Sequence, residues 1–222
     1  MARVRTEAKR CEIIREAADR LEELGYDRCS MAMLAERVGG SKATLYGYFP
    51  SKDDLLRAVA QFQVATDADR ILREFPARPD LRDSLIEVAT AYLNKRTSSL
   101  PVANIRMVCA QPPGSTMGKD FYNQVIRPAW ERLASKFEQL MDEGRLKRAD
   151  PMQVMMHWKG LCDWDLFEKR IMGAIDGPDP KQIKKIATLA ADAFLTLYGV
   201  EPDPKQKKTR KKDGRPQSAI RR

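Results

Sequence analysis

Residues 25–56, GYDRCSMAMLAERVGGSKATLYGYFPSKDDLL, are helix-forming sequence interrupted by serine and glycine at spacings that few folds can use. Ser30 can accept a hydrogen bond from the free amides that open a helix, and Met31, Leu34, Ala35 and Val38 then recur at helical spacing on one apolar face. Gly39 falls where that helix must stop and supplies the positive φ that a helix end favours. Ser41 can cap the next helix, so the turn between them is only about three residues long. The second helix, Lys42 to about Tyr48, has Leu45 and Phe49 for the core and turns Lys42, Thr44, Tyr46 and Tyr48 outward. Ser51 and Asp54 form a capping box for a longer third helix with Leu55, Val59 and Phe62 on its apolar face. The pattern predicts a helix-turn-helix over about residues 30–49, with an outer helix suited to a phosphate-walled groove.

The rest of the chain reads as helices as well. A first helix runs from about Thr6 to Leu24, with Ile14, Ala17, Ala18, Leu21 and Leu24 on one face. Phe75-Pro76-Ala77-Arg78-Pro79 breaks the chain, Asp80 caps a helix from Leu81 to about Ser98, and Pro101 opens another that ends before Gln111-Pro112-Pro113-Gly114. Lys119 to Glu143 reads as one long helix kinked at Pro128. Asp150-Pro151 starts a helix continuing to about Met172, and Gly177-Pro178-Asp179-Pro180 separates it from a last helix, Lys181 to Tyr198. No alternation of strand type appears, so the expected fold is all-α with about nine helices. At 222 residues, 43% of them hydrophobic, there is chain for a second domain beyond the reading head. The expected division is 1–66 for the helix-turn-helix domain, 67–200 for a second helical domain and 201–222 for a tail.

On Gly25-Tyr26, Ser30-Met31, Leu34-Ala35, Gly39, Ser41-Lys42, Thr44-Leu45-Tyr46, Tyr48-Phe49, Ser51-Lys52 and Leu55-Leu56, the chain resembles the TetR family of transcriptional regulators. The resemblance covers roughly residues 7–66; further on, only length and helix pattern agree. It implies that helix 42–48 enters the major groove of double-stranded DNA, with Thr44, Tyr46 and Tyr48 against phosphates and base edges. It also implies that Ser30 and Ser41 orient helix N-termini toward the backbone and that Lys52 pairs with a phosphate; with Lys42 and Gly47 on the same helix as Thr44, these make eight DNA-binding candidates. Gly40 stands where the family commonly has a branched apolar residue. Gly47 stands where a larger polar residue is common; within the reading helix it costs about 1 kcal/mol relative to alanine.

The formal charge is +9, and residues 201–222 hold nine basic side chains against three acidic ones, a net +6. That tail is poor in apolar residues and is expected to be disordered, available as a salt-sensitive arm on DNA or as a solubilising terminus. Arg3, Arg5, Lys9 and Arg10 form a second basic arm ahead of the first helix. No apolar run approaches the ~20 residues that span a bilayer, and no leader pattern opens the chain, so no membrane contact and a cytoplasmic location are expected. Cys11, Cys29, Cys109 and Cys162 are widely spaced, which argues against a metal site; Cys29 reads as a small buried residue. His157 is the single histidine, and neither a G-x-S-x-G elbow nor a phosphate loop occurs. No catalytic residue and no cofactor are therefore assigned, and an enzyme with an appended DNA-binding domain is the least supported class.

In the last helix Ile183, Ile186, Ala187, Ala190, Phe194, Leu197 and Tyr198 make one apolar stripe, while Leu189, Ala193 and Val200 begin a second. A helix apolar on two sides is buried between partners. Helices 151–172 and 181–198 are thus expected to build a four-helix homodimer interface, with Trp164, Ile183, Ile186, Ala190, Phe194 and Leu197 as its residues. Two heads about one DNA turn apart call for a palindromic operator. Met107, Phe121, Trp130, Met155 and Trp158 are the candidates for an adaptable apolar pocket, with Phe137 beside them. A small-molecule effector bound there would release the operator through its preference for wrongly spaced heads. The competing expectation is a sequence-tolerant DNA-coating protein that relies on the basic tail.

Overall fold

Ser30, Ser41, Asp80, Asp150 and Asp179 each accept a backbone amide from the first turn of the helix they precede, satisfying donors that would otherwise be left unpaired there. The computed structural model describes residues 6–24, 28–74 and 80–200. In chain order the helices are α1 (Glu7–Leu24), α2 (Met31–Arg37), α3 (Lys42–Tyr48), α4 (Lys52–Glu74), α5 (Leu81–Arg96), α6 (Ser99–Cys109), α7 (Met117–Phe121), α8 (Arg127–Asp142), α9 (Pro151–Asp163), α10 (Leu166–Met172) and α11 (Pro180–Tyr198). The fold is all-α, and among the described residues the only β-type pairing is an isolated bridge between Leu146 and Gly199. The break at 75–79, the Gly25-Tyr26 turn, Arg3, Arg5 and the tail 201–222 lie outside the described residues.

Two elements differ from expectation. The helix foreseen from 119 to 143 is α7 and α8 joined by a π turn, Tyr122–Ile126. Pro128 has no amide to donate, and the residues before it widen so that the Arg127 amide reaches back to the Tyr122 carbonyl. The helix foreseen from 151 to 172 stops at Trp164, whose φ of +49° cannot continue a helix and places α10 in a new direction. With α7, the π turn and α8 counted as one rod, that break makes ten helices of the nine expected among the described residues.

Two main hydrophobic clusters result. One gathers Ile13, Ala17 and Leu21 of α1, Leu34 of α2, Leu45 and Phe49 around α3, and Leu55 and Val59 of α4. The other gathers Leu85, Val88 and Leu93 of α5, Leu133 and Phe137 of α8, Met155 and Trp158 of α9, and Ile183, Ile186 and Phe194 of α11. Helix α4 is common to both: Leu55 to Val59 pack in the first and Ile71 in the second. Leu100, at the start of α6, is buried in the first cluster and Met107 of the same helix packs against it, while Ile105 and Val108 pack against a third, smaller cluster of Ala60, Phe121 and Val125.

Candidate nucleic-acid interface and internal cavity

The two short helices of the reading head are held in place from α1. Lys9 donates to the Val38 carbonyl at 2.8 Å, capping the C-terminus of α2, and pairs with Glu12 at 2.6 Å. Arg37 of α2 donates to Glu16 at 3.0 Å, and the Arg10 guanidinium lies 5.3 Å from the Phe49 ring centroid. Lys9 and Arg10 are therefore part of α1 and engaged within the head, not links of a free arm. Sequence patterning missed this because both are spaced like surface charges on an amphipathic helix.

Between α2 and α3 the turn is closed by Gly39, with φ +63°, and by the Gly40 amide donating to the Ala35 carbonyl at 3.0 Å. The Ser41 hydroxyl accepts the Thr44 amide at 3.1 Å and shares a hydrogen bond with the Thr44 hydroxyl at 3.0 Å. Ser30 accepts the Met33 amide at 3.3 Å. Leu45 and Phe49 anchor α3 in the core, leaving Lys42 and Tyr46 exposed, with Thr44 and Gly47 half-buried. Tyr46 stands out, 48% exposed for a large aromatic. Tyr48 is placed differently: its ring packs on the head's core and its hydroxyl accepts the Thr6 amide at 3.1 Å, so it latches the start of α1 to the reading helix. Lys52 opens α4 directly after the Ser51–Asp54 capping box, in which the Asp54 amide donates to Ser51 at 3.0 Å. Of the eight assigned residues, five, Ser41, Lys42, Thr44, Tyr46 and Gly47, thus lie on one short exposed helix and its turn, with Ser30 at the start of α2, Lys52 at the start of α4 and Tyr48 half-buried against the head's core. Burial pushes the Cys29 thiol up from its usual range, consistent with a packing residue.

A side chain at Gly40 would meet the Thr44 Cβ and Cγ2 at 3.7 Å and Val38 Cγ2 at 4.0 Å, ordinary contact distances, and the residue is not in the left-handed region. Gly40→Ala is accordingly expected to stabilise the protein by about 0.4–1 kcal/mol through a less free unfolded chain. A urea midpoint that rises at constant slope checks it; a lower midpoint would mean that the turn needs glycine.

A cavity with about 100 Å³ of room for water-sized contents lies behind the head, among α4, α5, α6, the π turn and α8. Phe121 and Trp130 line it as assigned, together with Tyr92, Asn104 and Ile105, which the sequence reading had not singled out. Met155 and Trp158 do not: they are fully buried in the main core, as is Phe137. Met107 is on the opposite side of α6, packed against the head's core. The signal for Asn104 was available as a polar residue within the apolar run Leu100-Pro101-Val102-Ala103, one turn on. Tyr92 offers its ring only, since its hydroxyl donates to Asp163 at 2.7 Å and Lys159 donates to the other carboxylate oxygen at 2.5 Å. Burial first, and then Asp163, push the Tyr92 hydroxyl well above its usual range and keep it a donor.

The assigned interface residues divide. Ile183, Ile186 and Phe194 are in the protomer's own core, because the fuller of the two stripes on α11 is the one that packs inward. Trp164 and Leu197 are exposed, and Trp164 lines an open groove between α9 and α11 together with Gly160, Leu161, Asp165, Leu189, Ala190 and Ala193. His157 lies between these two helices, its Nδ1 2.5 Å from the Tyr198 hydroxyl.

An exposed short helix seated in a tight turn, ahead of a separate helical body with an internal cavity, defines a helix-turn-helix DNA-binding regulator. Residues 13–59 match the family model for bacterial regulatory proteins of the tetR family, and residues 83–200 match the C-terminal domain of AefR-like transcriptional repressors. The chain belongs to the TetR family of transcriptional regulators. The nucleoid occlusion factor SlmA of Vibrio cholerae is 25% identical over 170 residues, 76% of this chain and 81% of the relative. A TetR-family regulator from Mesorhizobium loti superimposes with a TM-score of 0.76 at 23% identity, over 89% of this chain and 100% of that one. A TetR transcriptional regulator from Agrobacterium tumefaciens does so at 0.67 and 25% identity, over 88% and 97%. No helix among the described residues is long and apolar enough to cross a membrane.

Proposed function

We propose that this regulator is a homodimeric repressor that holds a palindromic operator through two copies of α3 and releases it when a small molecule fills the cavity. Residues 1–66 would then be the reading domain, 67–200 the effector and dimerisation domain, and 201–222 a basic tail. One observation carries the reading: α4 and α6 each touch both the head's core and the cavity. Val59 packs in the head while Ala60, Gln63 and Val64 of the same helix line the cavity. Leu100 and Met107 pack in the head while Pro101 and Asn104 line the cavity. A ligand that moves either helix by a fraction of an ångström re-aims α3, and its differential affinity for the two arrangements is the whole of its leverage.

Selection of bound genomic fragments at physiological salt, repeated with Tyr46→Ala, tests the proposal. The expected result is one palindrome, bound about tenfold or more weaker by Tyr46→Ala, within the ~1–3 kcal/mol of a good base-edge contact. Because Tyr46 is half-exposed, the thermal midpoint should not move. A second reading is favoured by the basic tail and by the relative named as a nucleoid occlusion factor: sequence-tolerant coating of DNA. Enrichment without any motif, collapsing when 201–222 are removed and falling steeply with salt, would establish that reading instead.

A further inference from the structure

The polar groups in the cavity wall select for the charge of what enters it, an inference that rests on the cavity being the effector site. Asn104 is 7% exposed, and among the described residues nothing hydrogen-bonds to its amide, whose remaining surface opens on the cavity. Arg96 lines the same space; its guanidinium carbon lies 3.4 Å from the Phe167 ring centroid and its Nε is enclosed with no acceptor. Among the described residues, the other charges that line the cavity have partners. Lys95 and Asp67 pair at 3.2 Å, and behind Tyr92 the Asp163 carboxylate is matched by Lys159. Among the described residues, Arg96 is the lining charge with no ion-pair partner. Arg96 is half-buried, and its enclosed Nε without an acceptor carries a cost that an incoming carboxylate would recover through charge-assisted hydrogen bonds. Apart from Gln63, the remaining wall is apolar, with Trp130, Phe121, Ile105, Ile126 and Leu133 its larger side chains. We propose that the cavity takes a small, largely apolar monocarboxylate, its body against Trp130 and Phe121 and its carboxylate accepting from Arg96 and Asn104.

Phenylacetate, phenylacetamide and phenethylamine share a ring and differ in charge, and octanoate supplies an aliphatic acid. Calorimetric titration of the full chain should show an acid binding at least tenfold tighter than the amide, with no heat from the amine. Arg96→Gln should bring the acid down to the amide, while Arg96→Lys preserves the order. Since Arg96 also stacks on Phe167, each variant is melted without ligand, and Asn104→Leu, which leaves that stack intact, should independently weaken the acid by tenfold or more. An amide or amine that binds as tightly as the acids, or no binding of either acid at millimolar concentration, overturns the proposal. An acid that binds in the expected charge order without releasing DNA keeps this inference and overturns the effector reading. A neutral molecule that fills the cavity and releases DNA does the reverse.

Discussion

A chain carrying Leu189→Glu and Leu197→Glu is expected to show half the mass of the unaltered protein by light scattering and to bind its operator about 10²–10⁴-fold more weakly, the range lost when two linked binding events become independent. Both leucines lie on the exposed side of α11, 44% and 53% exposed; Leu197, counted in the sequence with the inward stripe, turns outward instead, and the core lies on the other side of the helix. Trp164, 60% exposed, lines the same groove as Leu189. Its backbone, at φ +49° and ψ −128°, is one that side chains rarely adopt, at a cost of about 1–3 kcal/mol. The exposed indole adds nothing to the protomer's core, although the break lets Leu166 of α10 pack into it. The turn ends α9 beside the Gly160, Leu189 and Ala193 groove and leaves an exposed aromatic there, the kind of group a second copy would bury. Across a twofold axis each substitution occurs twice, so two glutamates place four like charges in one apolar patch. Neither leucine is part of the core, so the thermal midpoint of the protomer should stay within the ~0.5 kcal/mol typical of surface changes. Unchanged mass with both substitutions present would sink the proposed dimer face.

What the sequence disclosed, and what it withheld, follows from how local each signal is. Helix starts were legible because Ser30, Ser41, Asp80 and Asp150 act on amides two or three residues away. The reading helix was legible for the same reason, and its bounds, Lys42 to Tyr48, are the observed ones. Two apolar stripes on α11 could be counted, but which of them packs inward depends on α5, α8 and α9, which no periodicity reports. Ile183 and Phe194 therefore went to the interface in the sequence reading and to the core in the fold. The cavity was hardest to foresee. It exists because α4, α5, α6 and α8 fail to close on one another, and its polar residues, Asn104 and Arg96, acquire meaning only when partners are found to be missing. Trp164 carried no local warning either, since tryptophan at positive φ has no sequence signature.

Trp158 was expected to face a ligand and instead sits at the hub of the main core. It lies 5.2 Å from the Tyr92 ring and 6.1 Å from Phe137, and Phe137 continues the chain of rings to Phe194 at 5.2 Å and so to Tyr198. Trp158→Ala should cost about 3–5 kcal/mol, as removing a large aromatic from a closed core does, and lower the urea midpoint with little change in slope. Trp158→Phe should cost much less than its loss of volume suggests. The indole Nε1 is buried without an acceptor, a group that costs about 1–3 kcal/mol, and phenylalanine removes that unpaired donor together with the second ring. The two terms oppose each other, so the phenylalanine variant is expected within about 1 kcal/mol of the unaltered protein. A Trp158→Phe loss approaching that of the alanine variant would mean that the indole N–H has a partner in solution, such as a buried water. That result would relocate the polar weak point of this domain from its core to the cavity wall at Arg96.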